Sequence, residues 1–261
     1  MTDDGIHAAR VEAAFRLQAG AFEQGPNTAV FTSDATWITD RIPCPPDGLV
    51  LDVAAGTGHA GRQLASRARA VVALDATMAM LEAGRASALA DGLDSVVFMR
   101  GDAEALPFLS GTFDVVLSRY AFHHLRRPSV VLAEMRRCVT PGGTLVLADL
   151  VADDDPAVAQ RQDRLEILRD PSHAALLSVR EATALFTELG TGPVDVEVRS
   201  TARPLGPWLE QTRTAPEAVA EITAALDAEL AGGPSTGLSP TLVDGERWFT
   251  QRFAALQALV D

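Results

Sequence analysis

The sequence predicts an α/β fold, a doubly wound and mostly parallel sheet with helices on both faces. Three observations carry this. Apolar runs of strand length alternate with stretches of helical periodicity between Leu49 and Leu150. A glycine loop, Gly56-Thr57-Gly58, joins the first run to the first helix of that series. Acidic residues stand within or at the end of the first two runs, Asp52 and Asp75. Strands that alternate with helices are joined by crossover connections, and those produce parallel strands covered on both sides.

The elements follow in order. Residues 6–41 read as helical, with Ile6, Val11, Phe15, Leu17 and Phe22 at mixed helical spacing and Gly25-Pro26 as an interruption. Pro43-Cys44-Pro45-Pro46-Asp47-Gly48 is a turn-rich linker. Leu49 to Val53 is a buried strand, and His59 to Arg69 the helix after the glycine loop. Ala70 to Leu74 is the second strand, followed by a helix from Thr77 to Ala90; Val96 to Arg100 is the third. Phe113 to Leu117 is the fourth, followed by a helix from Ser129 to Val139. Pro141-Gly142-Gly143 turns into the fifth, Thr144 to Leu150. Residues 155–189 read as helices ended by Gly190, Val194 to Val198 as a sixth strand, and 207–231 as helical. Periodicity leaves Trp248 to Leu259 open between a helix and a final strand.

Composition narrows the function. The chain has 261 residues, 47% of them hydrophobic, enough for one large α/β domain or one with an added cap. No apolar run approaches the roughly 20 residues of a membrane span. The acidic start, Met1-Thr2-Asp3-Asp4, gives the expectation of a cytoplasmic protein. A net charge of -13 argues against phosphate backbones as partners. All 22 basic residues are arginine, which excludes Schiff-base lysines, the P-loop lysine and the Tyr-x-x-x-Lys dehydrogenase pair. Cys44 and Cys138 match no metal or redox spacing, so no metal site is expected.

Glycines at 56 and 58 let a ligand approach the backbone, and the following helix start offers free N–H groups. Asp75 ends the second strand, where an acid can accept both ribose hydroxyls or else cap the helix at Thr77. These two features suit a dinucleotide equally well. The third motif discriminates. Arg100-Gly101-Asp102-Ala103-Glu104-Ala105-Leu106-Pro107-Phe108 follows the third strand, then come Phe113-Asp114-Val115-Val116 and Pro141-Gly142-Gly143. With Asp52 and Asp75, this order resembles the class I methyltransferases of the ubiquinone/menaquinone-biosynthesis type throughout residues 49–150. One departure stands out: Ala54 occupies the position of the loop's first glycine.

The resemblance implies a seven-stranded sheet with Trp248 to Leu259 as its last, antiparallel strand. It implies an N-terminal helical cap over residues 1–45, a cofactor-binding core over 46–152, and a remainder over 153–261 whose inserted helices form the acceptor site. The implied cofactor is S-adenosylmethionine, leaving as S-adenosylhomocysteine. Its implied site comprises Asp52, Ala54, Gly56, Thr57, Gly58, Asp75, Ala76, Met80, Asp102, Ala103, Ser118 and Arg119. Asp52 organises the loop, Asp75 holds the ribose and Asp102 the adenine amino group. Ser118 lies beside the sulfonium, and Met80 packs on the adenine unless it is ordinary core.

Ser118-Arg119-Tyr120-Ala121-Phe122-His123-His124-Leu125 lies at the carboxyl edge of the fourth strand, where open α/β sheets bind ligands. Rebeccamycin-type sugar O-methyltransferases have a similar His-His and an acid after the fifth strand, like Asp149. There the pair resembles a general base with its orienter, so His123, His124 and Asp149 are the catalytic candidates; a histidine fixed by backbone is the other reading. Arg169-Asp170-Pro171-Ser172-His173 reads either as acceptor-pocket wall or as a helix boundary with Ser172 as cap. The expected activity is O-methylation of a sugar or hydroxylated secondary metabolite. C- or N-methylation, and a non-methylating cyclase or binding protein, remain as alternatives. A nicotinamide oxidoreductase would need a proton donor that a chain with one tyrosine and no lysine does not offer. The expected partner is a small-molecule acceptor, with no nucleic acid and no membrane, and with a homodimer allowed.

Overall fold

A computed structural model describes residues 3–24 and 35–261. The expected interruption at Gly25-Pro26 lies outside the described residues. Helix α1 (Asp3–Gln24) precedes a short helical segment over 35–39. Then follow β1 (Leu49–Val53), α2 (His59–Leu64), β2 (Ala70–Asp75), α3 (Met78–Ala90), β3 (Val96–Arg100) and β4 (Phe113–Arg119). After a 3-10 turn (Phe122–His124) come α4 (Pro128–Cys138), β5 (Val139–Ala152), α5 (Pro156–Arg169), β6 (Leu177–Ser178) and α6 (Val179–Glu188). The chain closes with β7 (Asp195–Pro204), α7 (Leu205–Gln211), α8 (Pro216–Leu230), β8 (Thr241–Val243) and β9 (Glu246–Leu259).

The sheet order is β3-β2-β1-β4-β5-β9-β7, with the short β6 and β8 pairing onto β5 and β9. Strands β1 to β5 run parallel, while β9 is antiparallel to both β5 and β7. The seven-stranded path is therefore as expected, and the tail is a strand. Alternation along β1 explains the layering. Leu51 and Val53 face one core, with Val131, Leu132 and Met135 of α4 and Phe186 of α6. Val50 faces the other, with Ala60 and Leu64 of α2 and Trp37 and Ile38. Strands buried on both faces need near-continuous apolar runs, which is why they were readable.

Several boundaries differ from expectation. Strand β7 runs on to Pro204 rather than ending at Val198, because it pairs with β9 along its whole length, and the helical stretch 155–189 is broken between Arg169 and Val179 by a segment that includes β6. The helix after the glycine loop ends at Leu64, because Arg69 N–H turns back to Gly48 carbonyl (3.0 Å) to enter β2. Strand β5 begins at Val139 rather than Thr144. Pairing with β4 is interrupted over Pro141-Gly142-Gly143, since Phe113 opposes Val139 while Val115 opposes Thr144, and Gly142 and Gly143 bond to Val260 instead. Residues 207–231 form two helices with a break over 212–215. Together α5, α7, α8 and Phe249 bury a third, smaller core built on Leu165, Trp208, Ile222 and Leu226. No helix among the described residues is long and apolar enough to cross a membrane.

Candidate active site

The sheet order reverses between β1 and β4, and loops at their carboxyl ends diverge there to leave a crevice. A cavity of about 720 Å³ occupies that crevice. Both strands exit through a non-glycine residue in the left-handed region, Ala54 (φ 52°) and Tyr120 (φ 55°), and both line the cavity. Such a conformation costs on the order of 1–2 kcal/mol per residue. The alanine noted as a departure thus sits where glycine would be unstrained. Gly56 (φ 58°) and Gly58 (φ 75°) complete the turn into α2.

One half of the cavity is walled by the glycine loop and the ends of β2 and β3. Asp52 lies behind the loop, 1% exposed, and accepts from Gly61 N–H (2.8 Å) in α2. Burial pushes its carboxyl up to about 7, against the pull of that N–H and of Arg119. Asp75 accepts from Gly56 N–H (2.7 Å) and Thr77 N–H (2.8 Å), so it braces the glycine loop and the turn into α3; the helix's N-cap is Thr77, and no side chain caps its free N–H groups. Burial raises its carboxyl as well, although those N–H groups oppose it. A carboxylate has about four acceptor positions, so capacity for ribose hydroxyls remains. Ala54, Gly56, Thr57, Asp75, Ala76, Met80, Asp102, Ala103 and Arg119 all line the cavity. Met80 is both things expected of it: 2% exposed within the core, and in the cavity wall.

Three expected cofactor residues do not reach the wall. Asp52 acts from behind the loop. Gly58 faces Phe98, where an added Cβ would lie 3.1 Å from the ring. Ser118 is 1% exposed within β4, and its hydroxyl has no partner among the described residues. Its place in a central strand buries it instead of presenting it.

The geometry separates the two histidines. His123 Nδ1 lies 2.6 Å from Asp149 Oδ1, and His123 N–H donates to Asp149 Oδ2 (3.1 Å). Leu150 N–H also donates to Asp149 (2.7 Å). The carboxylate fixes the tautomer that carries its proton on Nδ1, leaving Nε2 as acceptor. Burial pulls the His123 pKa down, but Asp149, joined by Glu166 and Asp170, raises it and the net direction is up. Asp149 itself does not line the cavity, so it works through His123. His124 Nδ1 instead meets Ser172 carbonyl (3.0 Å), and Phe15 stacks edge-on at 4.9 Å. Burial, with His123 alongside, holds its pKa well below the ordinary value. Both rings line the cavity, but only His123 has a carboxylate orienter.

The other half of the cavity comes from elements the motifs did not reach. Helix α1 crosses it, with His7 Nε2 at 2.8 Å from His124 carbonyl. Arg169, Asp170, Arg203, Trp208, Gln251 and Phe253 complete the wall. The Arg169-to-His173 segment is both wall and boundary, since α5 ends at Arg169. Ser172 is not a helix cap. It is 1% exposed and binds Asp170 through its hydroxyl (2.5 Å) and N–H (2.9 Å), which holds the segment against His124. Gly84 was also missed: α3 crosses the glycine loop so closely that a Cβ there would lie 2.3 Å from Thr57 carbonyl oxygen. Its only sequence signal is a glycine among buried Met80, Leu81 and Ala88 at helical spacing.

Comparison with known proteins agrees with this layout. The family model described as "Methyltransferase domain" matches residues 51–147. The uncharacterized methyltransferase YcgJ of Bacillus subtilis is 34% identical over 144 residues, covering 55% of this chain and 57% of that protein. Its crystal structure superposes with a TM-score of 0.79 at 25% identity, over 87% of this chain and 97% of that one. A demethylmenaquinone methyltransferase of Clavibacter sepedonicus is 32% identical over 172 residues, 65% of this chain and 69% of the relative. The ubiquinone/menaquinone biosynthesis C-methyltransferase UbiE of Roseobacter denitrificans is 38% identical over 170 residues, 61% of this chain and 66% of the relative. In sequence the chain thus spans between about half and two thirds of these relatives' length.

Proposed function

The chain belongs to the class I S-adenosylmethionine-dependent methyltransferase family, and from that premise we propose that it methylates a hydroxyl oxygen of a small molecule, a sugar or hydroxylated secondary metabolite. The observation that carries the reading is the His123–Asp149 pair at 2.6 Å in the wall of the common cavity. S-adenosylmethionine, when bound, supplies an electrophilic methyl group on a sulfonium. The residues that would hold it are Asp75 at the ribose, Asp102 and Ala103 at the adenine, and the Ala54-to-Thr57 loop at the methionine moiety.

His123 Nε2 accepts the hydroxyl proton as the oxygen becomes a nucleophile, and Asp149 stabilises the imidazolium that results. Tyr120, Trp208 and Phe253 line the acceptor half of the cavity, each with an arginine over its ring. Helix α1 and the α5–α7 wall keep water from the reacting atoms. Orientation in the closed crevice supplies much of the acceleration, since the methyl needs only in-line placement. In the test, His123→Gln leaves S-adenosylhomocysteine affinity unchanged and lowers methylation of an accepted hydroxyl compound by about 10²–10⁴-fold. Equal turnover in the variant refutes the base assignment.

A second reading is C-methylation, favoured by the name of the Roseobacter relative. A carbon acidified by a neighbouring hydroxyl also gives up a proton, and His123 would take it. NMR of the product distinguishes an O-methyl from a C-methyl group.

A further inference from the structure

We propose that the acceptor is an oxyanion, a carboxylate or a phosphate ester, whose charged end is held by Arg169 and Arg203 with the Trp208 indole N–H as a third donor. The inference rests on reading the cavity as the methyl-transfer site and adds the chemical class of what enters it.

All three residues line the cavity and all belong to segments beyond β5, away from the glycine loop, Asp75 and Asp102. Arg169 ends α5 with its side chain 14% exposed. Its Nε donates to Trp208 carbonyl (3.1 Å), and its guanidinium carbon lies 4.6 Å over the Trp208 ring. The carboxylate nearest its terminal nitrogens is Glu166 at 3.6 Å, longer than a charge-assisted hydrogen bond. Glu166 is shared, because its Oε1 accepts from Gln251 (3.2 Å). Asp170, the other acid in this wall, already receives Ser172 N–H and hydroxyl. Arg203 on β7 lies 5.5 Å over the Phe253 ring and near enough to Arg169 to repel it. Two guanidiniums are thus held near each other in this wall, each over an aromatic ring.

Trp208 supplies the independent observation. It is 3% exposed, yet its Nε1–H has no acceptor among the described residues. Buried donors are almost always paired, and one in a cavity wall points to an acceptor atom brought by what binds there. Two guanidiniums and an indole N–H are donors only, so they complement oxygens that only accept. His123 lines the same cavity, so an anchored molecule and the histidine share one site.

The test uses full-length protein saturated with S-adenosylhomocysteine and titrated calorimetrically with benzoate, phenyl phosphate and benzamide. At least one of the two anions is expected to bind on the order of tenfold more tightly than the neutral benzamide. The better anion identifies the group as carboxylate or phosphate. Arg203→Gln and Trp208→Phe should each remove most of that preference while S-adenosylhomocysteine affinity stays unchanged. Arg169→Gln should do the same; should loss of the Glu166 partner unfold it, Arg203→Gln carries the test. Anions that bind no better than benzamide, whether all bind or none does, overturn the proposal. So does a preference that survives Arg203→Gln. Failure of S-adenosylhomocysteine to bind would instead overturn the methyltransferase reading.

Discussion

Replacing Gly84 by alanine tests whether α3 and the glycine loop are one mechanical unit. An added Cβ would lie 2.3 Å from Thr57 carbonyl oxygen, 2.7 Å from Thr57 carbonyl carbon and 2.8 Å from the Phe98 ring. An ordinary C···O approach is about 3.3 Å or more, so roughly 1 Å must open between helix and loop. Two of those three atoms are backbone, and Thr57 is followed by Gly58 and then α2, which Asp52 ties through Gly61. No rotamer change relieves the clash. Overpacking of this kind costs about 1–3 kcal/mol, and a backbone obstacle places it at the upper end. Alanine returns up to about 1 kcal/mol of helix propensity, leaving a net loss of about 2 kcal/mol. For a chain of this size that is a fall in Tm of roughly 4–8 °C. Because the displaced atoms carry the cofactor loop, S-adenosylhomocysteine affinity should also fall by on the order of tenfold or more. Scanning calorimetry and titration measure both. Gly20→Ala in α1, with nothing within 4 Å of the added Cβ, is the control and should lose neither. A Gly84→Ala protein that matches the control in Tm and affinity would refute the coupling.

Two further outcomes follow from the titrating groups. Burial raises the Asp52 carboxyl from 3.8 to about 7, so stability is full below 3.8, falls as pH rises from there because the unfolded chain ionises first, and the loss is complete above about 7. Asp52→Asn should therefore be more stable than wild type at pH 8, by at most on the order of 4 kcal/mol, with the gap closing toward pH 5. Denaturant unfolding at the two pH values measures it, and a gap of equal size at both would contradict the burial argument. Asp149→Asn removes the carboxylate that contributes most to raising His123, so NMR titration should show the His123 ring losing its proton at lower pH than in wild type. In wild type, methylation should rise as pH passes upward through the raised pKa, because only the neutral ring accepts a proton. An unmoved His123 titration would dissociate the pair.

Much of this was legible in the chain, and the legible part is local. Buried parallel strands require continuous apolar runs, so Leu49–Val53 and Ala70–Asp75 announce themselves. A backbone that must turn tightly before a helix requires glycine, so the loop itself is visible in the sequence, down to the misfit at Ala54. The acids at 52, 75 and 102 fall at fixed offsets from those strands and could be named from spacing and resemblance. Where local signals weaken the reading slipped. The start of β5 at Val139 depends on β4 lying alongside, and the tail was ambiguous until β5 and β7 flanked it.

Local pattern thus yields the sheet and the glycine-loop edge, and resemblance adds the shortlist of His123, His124 and Asp149. Only in the tertiary structure do the two histidines acquire different partners. Their rings lie 4.1 Å apart, yet His123 meets Asp149 from β5 while His124 meets Ser172 from beyond α5. The tertiary structure also withdrew Ser118 into the sheet and assembled Arg169, Arg203 and Trp208 from a helix end, a strand and a further helix. Contacts between residues distant in the chain leave no periodic trace, because nothing local constrains them. They exist only once the separate elements have packed onto the same edge of the sheet.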